Sequence, residues 1–276
     1  MTRTILLTVV TMMAFAANSV LCRLALSHSA IDPASFTFVR LASGAAALGL
    51  MVFVFGKHKS GGSWKGAVTL IIYAIAFSLA YVTLPAGTGA LLLFGTVQVT
   101  MIATGFVQGE RLSLGQWAGL AAAMAGLVVL VAPGVSAPPP LGAALMVLSG
   151  VFWGIYSLLG RGSGDPAATT AGNFLRAAPL ALLPMAAMAG QLSFDSSGAF
   201  YAALSGVLAS GCGYILWYSV LPRLSAAQGA SVQLSVPVIA ALAGALLMGE
   251  ALTLRLGIAA LATLGGIALV IAGRRR

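Results

Sequence analysis

One phrase occurs twice in this chain, first as Gly109-Glu110-Arg111-Leu112-Ser113-Leu114 and again as Gly249-Glu250-Ala251-Leu252-Thr253-Leu254. The two copies lie 140 positions apart, as 109 and 249 do. Other residues recur at the same separation without a gap: Gly89 with Gly229, Ala90 with Ala230, and Gly126 with Gly266. Because the repeat runs through an intensely apolar chain, it predicts a membrane protein built from two similar halves.

The composition also favours a membrane protein. The 276 residues are 60% hydrophobic and 7% charged, and the mean hydropathy is +1.03. Soluble domains carry about 25% charged residues, so a soluble core could not hide this much apolar surface. The formal net charge is +9, but the basic residues lie at the ends of apolar runs, as topogenic charges do. The lipid bilayer is therefore the expected environment, and no nucleic-acid partner is expected.

Ten apolar runs of about 18–24 residues are each long enough to cross the ~30 Å hydrocarbon core of a bilayer. They are predicted at 4–25, 33–55, 66–83, 86–107, 113–132, 139–159, 168–189, 199–220, 226–247 and 253–272. The first run is repeated in the sixth run, 138 positions later. The matching residues are Phe15, Ser19 and Arg23 in the first run and Trp153, Ser157 and Arg161 in the sixth. We therefore expect a first span here rather than a removable signal peptide.

Three prolines at 138–140 mark the join between the halves, residues 1–134 and residues 139–276, which together form one transmembrane domain. Each half holds five spans. Since five is odd, the second half enters the membrane from the opposite side, and the repeats are inverted about an axis in the membrane plane. The predicted fold class is an all-α membrane protein, with ten transmembrane helices as two inverted five-helix repeats around a central cavity.

Local signals place several helix starts. Asp32-Pro33 and Asp165-Pro166 each put a capping carboxylate before a proline at the first helical position. They open the second helix of each half. Ser113 with Gln116 predicts a capping box at the start of the fifth helix.

The distribution of Lys and Arg predicts the orientation. With the N-terminus in the cytoplasm, only Arg23 and Arg255 fall in external segments, while Arg40 and Arg176 lie inside helices. Ten basic residues then face the cytoplasm: Arg3, Lys57, Lys59, Lys65, Arg111, Arg161, Arg223, Arg274, Arg275 and Arg276. We expect a multi-pass protein of the plasma (inner) membrane with both termini cytoplasmic.

These features resemble the drug/metabolite transporter superfamily, and its ten-helix exporter branch fits best. The likeness covers essentially the whole chain and rests on two five-helix halves, each with Gly-Glu-x-Leu-Ser/Thr-Leu between its fourth and fifth helices. It implies a basket of helices around a central substrate cavity, with alternating access. It also implies export of amino acids or other small metabolites, as in most bacterial members, without naming the substrate.

Aromatic and amide side chains inside the spans are the candidate substrate-binding residues. Phe15 matches Trp153 and Phe77 matches Trp217 in the repeat, so the pseudo-symmetry should gather aromatic rings around the axis. Such rings can stack flat solutes or hold an ammonium group, although interfacial belts or helix packing are alternatives. The predicted substrate-binding residues are Asn18, Phe77, Tyr81, Gln98, Trp153, Tyr156, Tyr214, Trp217, Tyr218 and Gln233.

Charged residues allow two interpretations each. Arg40 and Arg176 recur in a Phe-x-Arg context, 136 positions apart, and either pair with helix-end carbonyls or attract a substrate carboxylate or phosphate. Glu110 and Glu250 either stabilise the start of the following helix through its dipole or act in gating.

The favoured function is a transporter that exports amino acids, aromatic ones among them, or similar small metabolites. The alternatives are a phosphate-ester or nucleotide-sugar antiporter, a cationic drug efflux protein, or a lipid-handling or signalling membrane protein without a solute path. No Asp, Glu or His falls in the middle of a predicted span, which disfavours proton-driven efflux of cationic drugs. No enzyme motif, metal-ligand spacing or cofactor motif occurs, so the expected partners are a small-molecule substrate and lipid, with the oligomeric state open.

Overall fold

The structure is a computed structural model that describes residues 2–55, 61–109, 111–134, 136–160, 164–220, 223 and 232–273. These ranges are helical and contain no strand. The first half consists of α1 (Thr2–His28), α2 (Pro33–Phe55), α3 (Trp64–Tyr81), α4 (Ala86–Val107) and α5 (Leu114–Val131). Each of these helices coincides with a predicted span, which confirms the all-α membrane fold of this half.

The second half contains one interrupted span, the seventh. Its elements are α6 (Pro140–Leu159), α7 (Pro166–Leu180), α8 (Leu182–Ala187), a 3₁₀ turn (Ala189–Gln191), α9 (Ser196–Leu204), a π-helical segment (Ser205–Cys212), α10 (Gly213–Val220), α11 (Ser235–Met248) and α12 (Leu254–Gly273). The eighth span therefore runs continuously through α9, the π segment and α10. Eight helices of the described ranges are long and apolar enough to cross a membrane, with Ser196–Val220 taken as one.

The seventh span differs from the predicted continuous run. The seventh breaks between α7 and α8, where Pro179 and Pro184 each remove a backbone N–H donor from the helical ladder. The ninth is described from residue 232 onward, so the predicted residues 226–231 lie outside the described part.

The predicted caps are present at the helix starts. Asp32 accepts hydrogen bonds from the N–H groups of Ala34 (2.9 Å) and Ser35 (3.0 Å), and Asp165 accepts one from Ala168 (3.0 Å). Ser113 and Gln116 form the reciprocal capping box of α5. These hydrogen bonds confirm the predicted caps. The caps could be predicted because each depends only on side chains within three residues of the helix start.

The contacts at helix ends show that the halves are inverted. Arg176 of α7 donates to the carbonyl of Gly61, which follows α2, whereas Asp32 before α2 accepts from the N–H of Ser193, which follows α8. The second and seventh spans therefore run antiparallel. The same holds for α5 and α12, because Gln116 at the start of α5 donates to the carbonyl of Val270 near the end of α12.

The helix packing follows the repeat. In the first half, α1 packs against the eighth and ninth spans; in the second half, its counterpart α6 packs against α3 and α4. The fifth and tenth spans pack against each other, as do the second and seventh. Large apolar side chains cover the outside, among them Phe53, Leu246 and Leu261, which suits a surface in contact with lipid. The two repeats thus exchange their first helices, and the site described next lies between them.

Candidate functional site

Four aromatic rings meet where the repeats interlock. Trp153 of α6 lies 4.9 Å from Tyr73 of α3 and 4.8 Å from Tyr214 of α10, measured between ring centroids. Phe15 of α1 lies 6.3 Å from Trp153 and 6.1 Å from Tyr214, with its ring edge-on to both. Phe15 and Trp153 are counterparts in the repeat, so the pseudo-symmetry does bring matching aromatic positions together.

A small cavity opens among these rings. It has room for about one water molecule, so an amino acid enters only if the spans separate. The side chains around it come from α1, α3, α4, α6 and α10: Phe15, Asn18, Ser19, Tyr73, Leu93, Phe94, Trp153 and Tyr214. The predicted residues Asn18, Trp153 and Tyr214 thus lie together at one site.

A chain of buried hydrogen bonds runs beside the cavity. The Tyr73 hydroxyl accepts from Asn18 Nδ2 (3.1 Å) and from a terminal nitrogen of Arg40 (3.0 Å). Asn18 Oδ1 accepts from the Ser205 hydroxyl (2.7 Å), and Arg40 Nε donates to Ser210 Oγ (3.2 Å). Ser205 and Ser210 both lie in the π segment, which is a helix type that recurs at functional sites. This polar chain links α1, α2, α3 and the eighth span.

Three more predicted residues contact this cluster. Tyr156 stacks on Trp153 at 5.5 Å, and its hydroxyl accepts from Asn173 Nδ2 (3.3 Å). Trp217 lies 5.9 Å from Phe15. Phe77 packs against Tyr73 at 5.5 Å. These rings form a wall behind the cavity rather than its immediate lining.

The remaining four predicted residues lie apart from the cavity lining. Tyr81 is fully buried at the end of α3, where its hydroxyl donates to the carbonyl of Ala86 (3.3 Å). Tyr218 lies against Gly160, at the end of α6. Gln98 and Gln233 are both buried, in the fourth and ninth spans. Their role in binding stays a prediction.

Other residues of the site had weaker sequence signals. Tyr73 could have been found as the first member of the Tyr73–Phe77–Tyr81 series at four-residue spacing, and Phe15 as the repeat counterpart of Trp153. Ser19, Leu93 and Phe94 carry no pattern that separates them from packing residues. They are recognisable as lining residues only from the way that α1 and α4 pack.

Two inverted halves of apolar helices, eight of them long enough to span a membrane within the described ranges, with an aromatic and polar site between the halves, define a membrane transporter. The chain belongs to the EamA-like transporter family, whose model matches it twice, over residues 2–132 and residues 140–272. The two matches fall on the two halves of the chain.

Several known proteins are similar to this chain. An uncharacterized protein of Pseudomonas aeruginosa is 58% identical over 99% of this chain and 96% of its own length. A protein of Streptantibioticus cattleyicolor, named a probable terminal-alkyne amino-acid exporter, is 27% identical over 67% of this chain and 64% of its own. A solved crystal structure at 20% identity superposes with a TM-score of 0.71 and covers 100% of this chain and 99% of its own, which supports the fold.

Proposed function

We propose that this transporter exports amino acids, aromatic ones among them, or metabolites of similar size. The observation that carries the proposal is the cluster of Phe15, Tyr73, Trp153 and Tyr214 beside buried hydrogen-bonding groups, where the two repeats meet. Aromatic faces stack flat side chains and attract an ammonium group, and amide and hydroxyl groups bind the polar end of a solute. The name of the Streptantibioticus cattleyicolor relative supports an amino-acid substrate.

Transport would proceed by alternating access between two inverted halves, residues 1–134 and residues 139–276. The cavity among the rings is too small for an amino acid in the present conformation, so the spans must part on one side at a time to load and release it. The charge distribution favours a plasma-membrane protein with both termini in the cytoplasm. In the export cycle, the substrate would enter from the cytoplasmic side and leave on the opposite side.

The test is efflux of each of the twenty labelled amino acids from proteoliposomes. We expect Trp153→Ala to lower the rate for the transported amino acids about fivefold or more, because an aromatic contact in a binding site contributes about 1–3 kcal/mol. Trp64→Ala is the matched control, since Trp64 is 62% exposed at the start of α3. Rates equal to those of empty vesicles for all twenty amino acids would end this substrate assignment.

A further inference from the structure

Arg40 is a fully buried cation in the middle of a membrane protein. It is the eighth residue of α2, about 10 Å along the helix, and none of its surface is exposed. Nε and one terminal nitrogen bind Ser210 and Tyr73, and the guanidinium carbon lies 5.3 Å and 5.1 Å from the ring centres of Tyr73 and Phe77. The other terminal nitrogen has no hydrogen-bond partner among the described residues.

None of the acidic residues that the structure describes faces this charge. The chain has five acids, of which Glu110 lies outside the described residues. The other four all bind backbone N–H groups at helix starts or near them: Asp32, Asp165, Asp195 and Glu250. Hydroxyl groups and ring faces stabilise the guanidinium only in part, and a buried charge without a counter-ion costs several kcal/mol. A buried cation with this cost is explained if its counter-ion is a bound anionic ligand and not a side chain of the protein.

The charge at this site matches a single carboxylate. Arg176, the repeat counterpart of Arg40, donates to the carbonyls of Gly61 (2.9 Å) and Gly172 (2.8 Å), away from the cavity. Arg23 is bound to Glu250 at the end of α1. Among the described residues, Arg40 is therefore the one cation whose side chain contacts a residue of the cavity lining. A phosphate dianion would call for more positive charge than one guanidinium provides.

We propose that Arg40 binds the carboxylate of the transported molecule, so that the substrates are amino acids or other monocarboxylates rather than amines or phosphate esters. Tyr73 connects Arg40 to the cavity, because its hydroxyl binds Arg40 while its ring lines the cavity beside Trp153. Two hydroxyl groups of the lining, Ser19 Oγ and Tyr214 Oη, also lack partners within the described ranges and can donate to the same carboxylate. This inference rests on the proposed function above.

The test compares amino acids with their amides, which keep the side chain and the ammonium group but lack the carboxylate. Binding to the purified full chain is followed by thermal stabilisation, with L-phenylalanine against L-phenylalaninamide as the first pair. We expect wild type to prefer the acid. Arg40→Gln should weaken binding of the acid about 30-fold or more and leave binding of the amide unchanged, as expected when one partner of a buried charged hydrogen bond is removed.

Two further variants separate this role from a structural one. Arg176→Gln is the matched control and should keep the full preference for the acid, because Arg176 binds the backbone carbonyls of Gly61 and Gly172. Arg40→Lys keeps the charge but loses the planar fork, so the preference should fall about tenfold. If Arg40→Gln does not fold, Arg40→Lys decides the question, and an undiminished preference in it overturns the proposal.

The outcomes separate this inference from the proposed function. Equal binding of amino acids and amides by wild type, or an acid preference that survives in Arg40→Gln, overturns the role of Arg40 and leaves the proposed function standing. If no amino acid binds but benzoate stabilises wild type and not Arg40→Gln, the amino-acid assignment fails and the carboxylate site stands. If neither amino acids nor benzoate stabilise wild type, both proposals fail.

Discussion

Arg23 Nε lies 3.0 Å from Glu250 Oε1, and this ion pair ties the end of α1 to the loop between α11 and α12. Glu250 Oε2 also accepts from the N–H of Ala86 (2.7 Å) at the start of α4. Arg23 also donates to the carbonyls of Tyr81 and Val82 (both 2.9 Å) at the end of α3. One acidic side chain thus caps a helix of the opposite half and holds four segments together. Glu250 therefore caps α4 and not α12, the helix that follows Glu250 in the sequence. The start of α12 is capped by Thr253.

This arrangement predicts that Glu250→Gln loosens the end of the molecule where α1 and α3 end and α4 begins. Arg23 would lose its acidic partner and α4 its charged cap, interactions that contribute about 1–2 kcal/mol together. Cys22 is a built-in reporter because it is fully buried beside Arg23, and Cys212, which is exposed, can be replaced by Ser. Alkylation of Cys22 in Glu250→Gln should be about threefold to tenfold faster than in the Cys212→Ser parent.

Asp195→Asn is the control for this measurement. Asp195 caps α9 and contacts neither Arg23 nor α4, although it lies at the same end of the molecule. Its replacement should leave the alkylation rate of Cys22 unchanged. An unchanged rate in Glu250→Gln as well would show that the ion pair does not restrain this end.

A second prediction concerns the amide of Asn18. It donates to Tyr73 and accepts from Ser205, so Asn18→Leu removes two buried hydrogen bonds and leaves the Ser205 hydroxyl unpaired. We expect a loss of about 1–3 kcal/mol in the free energy of unfolding, measured in detergent with a chemical denaturant. Ser205→Ala should cost less when Asn18 is already Leu than in wild type, because the two residues share one bond. Strictly additive costs would contradict a direct contact between them.

The features that depend on nearby residues were predictable from the sequence. The spans follow from runs of apolar residues, the caps at Asp32, Asp165 and Ser113 from side chains within one turn, and the inversion from an odd number of helices per repeat. The break in the seventh span was not predicted although Pro179 and Pro184 are visible in the sequence, because membrane helices often accommodate proline and the apolar run continues through both.

The site was less predictable because it depends on contacts between distant segments. Trp153 and Tyr214 stand out as aromatic residues within spans. By contrast, the role of Tyr73 as the acceptor for both Asn18 and Arg40 depends on how α1, α2 and α3 pack. The π segment has no local sequence signature, yet it places Ser205 and Ser210 against Asn18 and Arg40. Arg40 itself could not be separated in the sequence from Arg176, which binds the backbone carbonyls of Gly61 and Gly172.

The close approach of the π segment to α2 predicts that replacing Gly206 by any larger residue destabilises the protein. A Cβ atom at this position would overlap with the carbonyl oxygen of Arg40 and with Ser43 Oγ. Gly206→Ala should therefore lower the free energy of unfolding by about 1–3 kcal/mol, since the backbone of α2 has to move away. Gly265→Ala is the control: a Cβ atom there meets nothing within 4 Å, so the helix should be stabilised by about 0.5–1 kcal/mol. Equal thermal stability of the two variants would contradict the tight contact at Gly206.

The last prediction concerns the pH dependence of stability at Asp32, which lies between α1 and α2. Burial alone would raise the pKa of this carboxyl, but hydrogen bonds from Ser35, Ser193 and Ala34 outweigh it and hold the pKa below its ordinary value. A carboxyl with a lowered folded-state pKa adds stability above the unfolded-state pKa of about 3.9, and this stability is lost as the pH falls through the folded-state value. Asp32→Ser keeps a helix cap without a titrating group, so it should be less stable than wild type at pH 7, and the difference should shrink below about pH 4. Thermal unfolding of both proteins in detergent between pH 7 and pH 3 measures this, and a difference that stays constant or grows toward acid pH would contradict the role of the charged carboxylate.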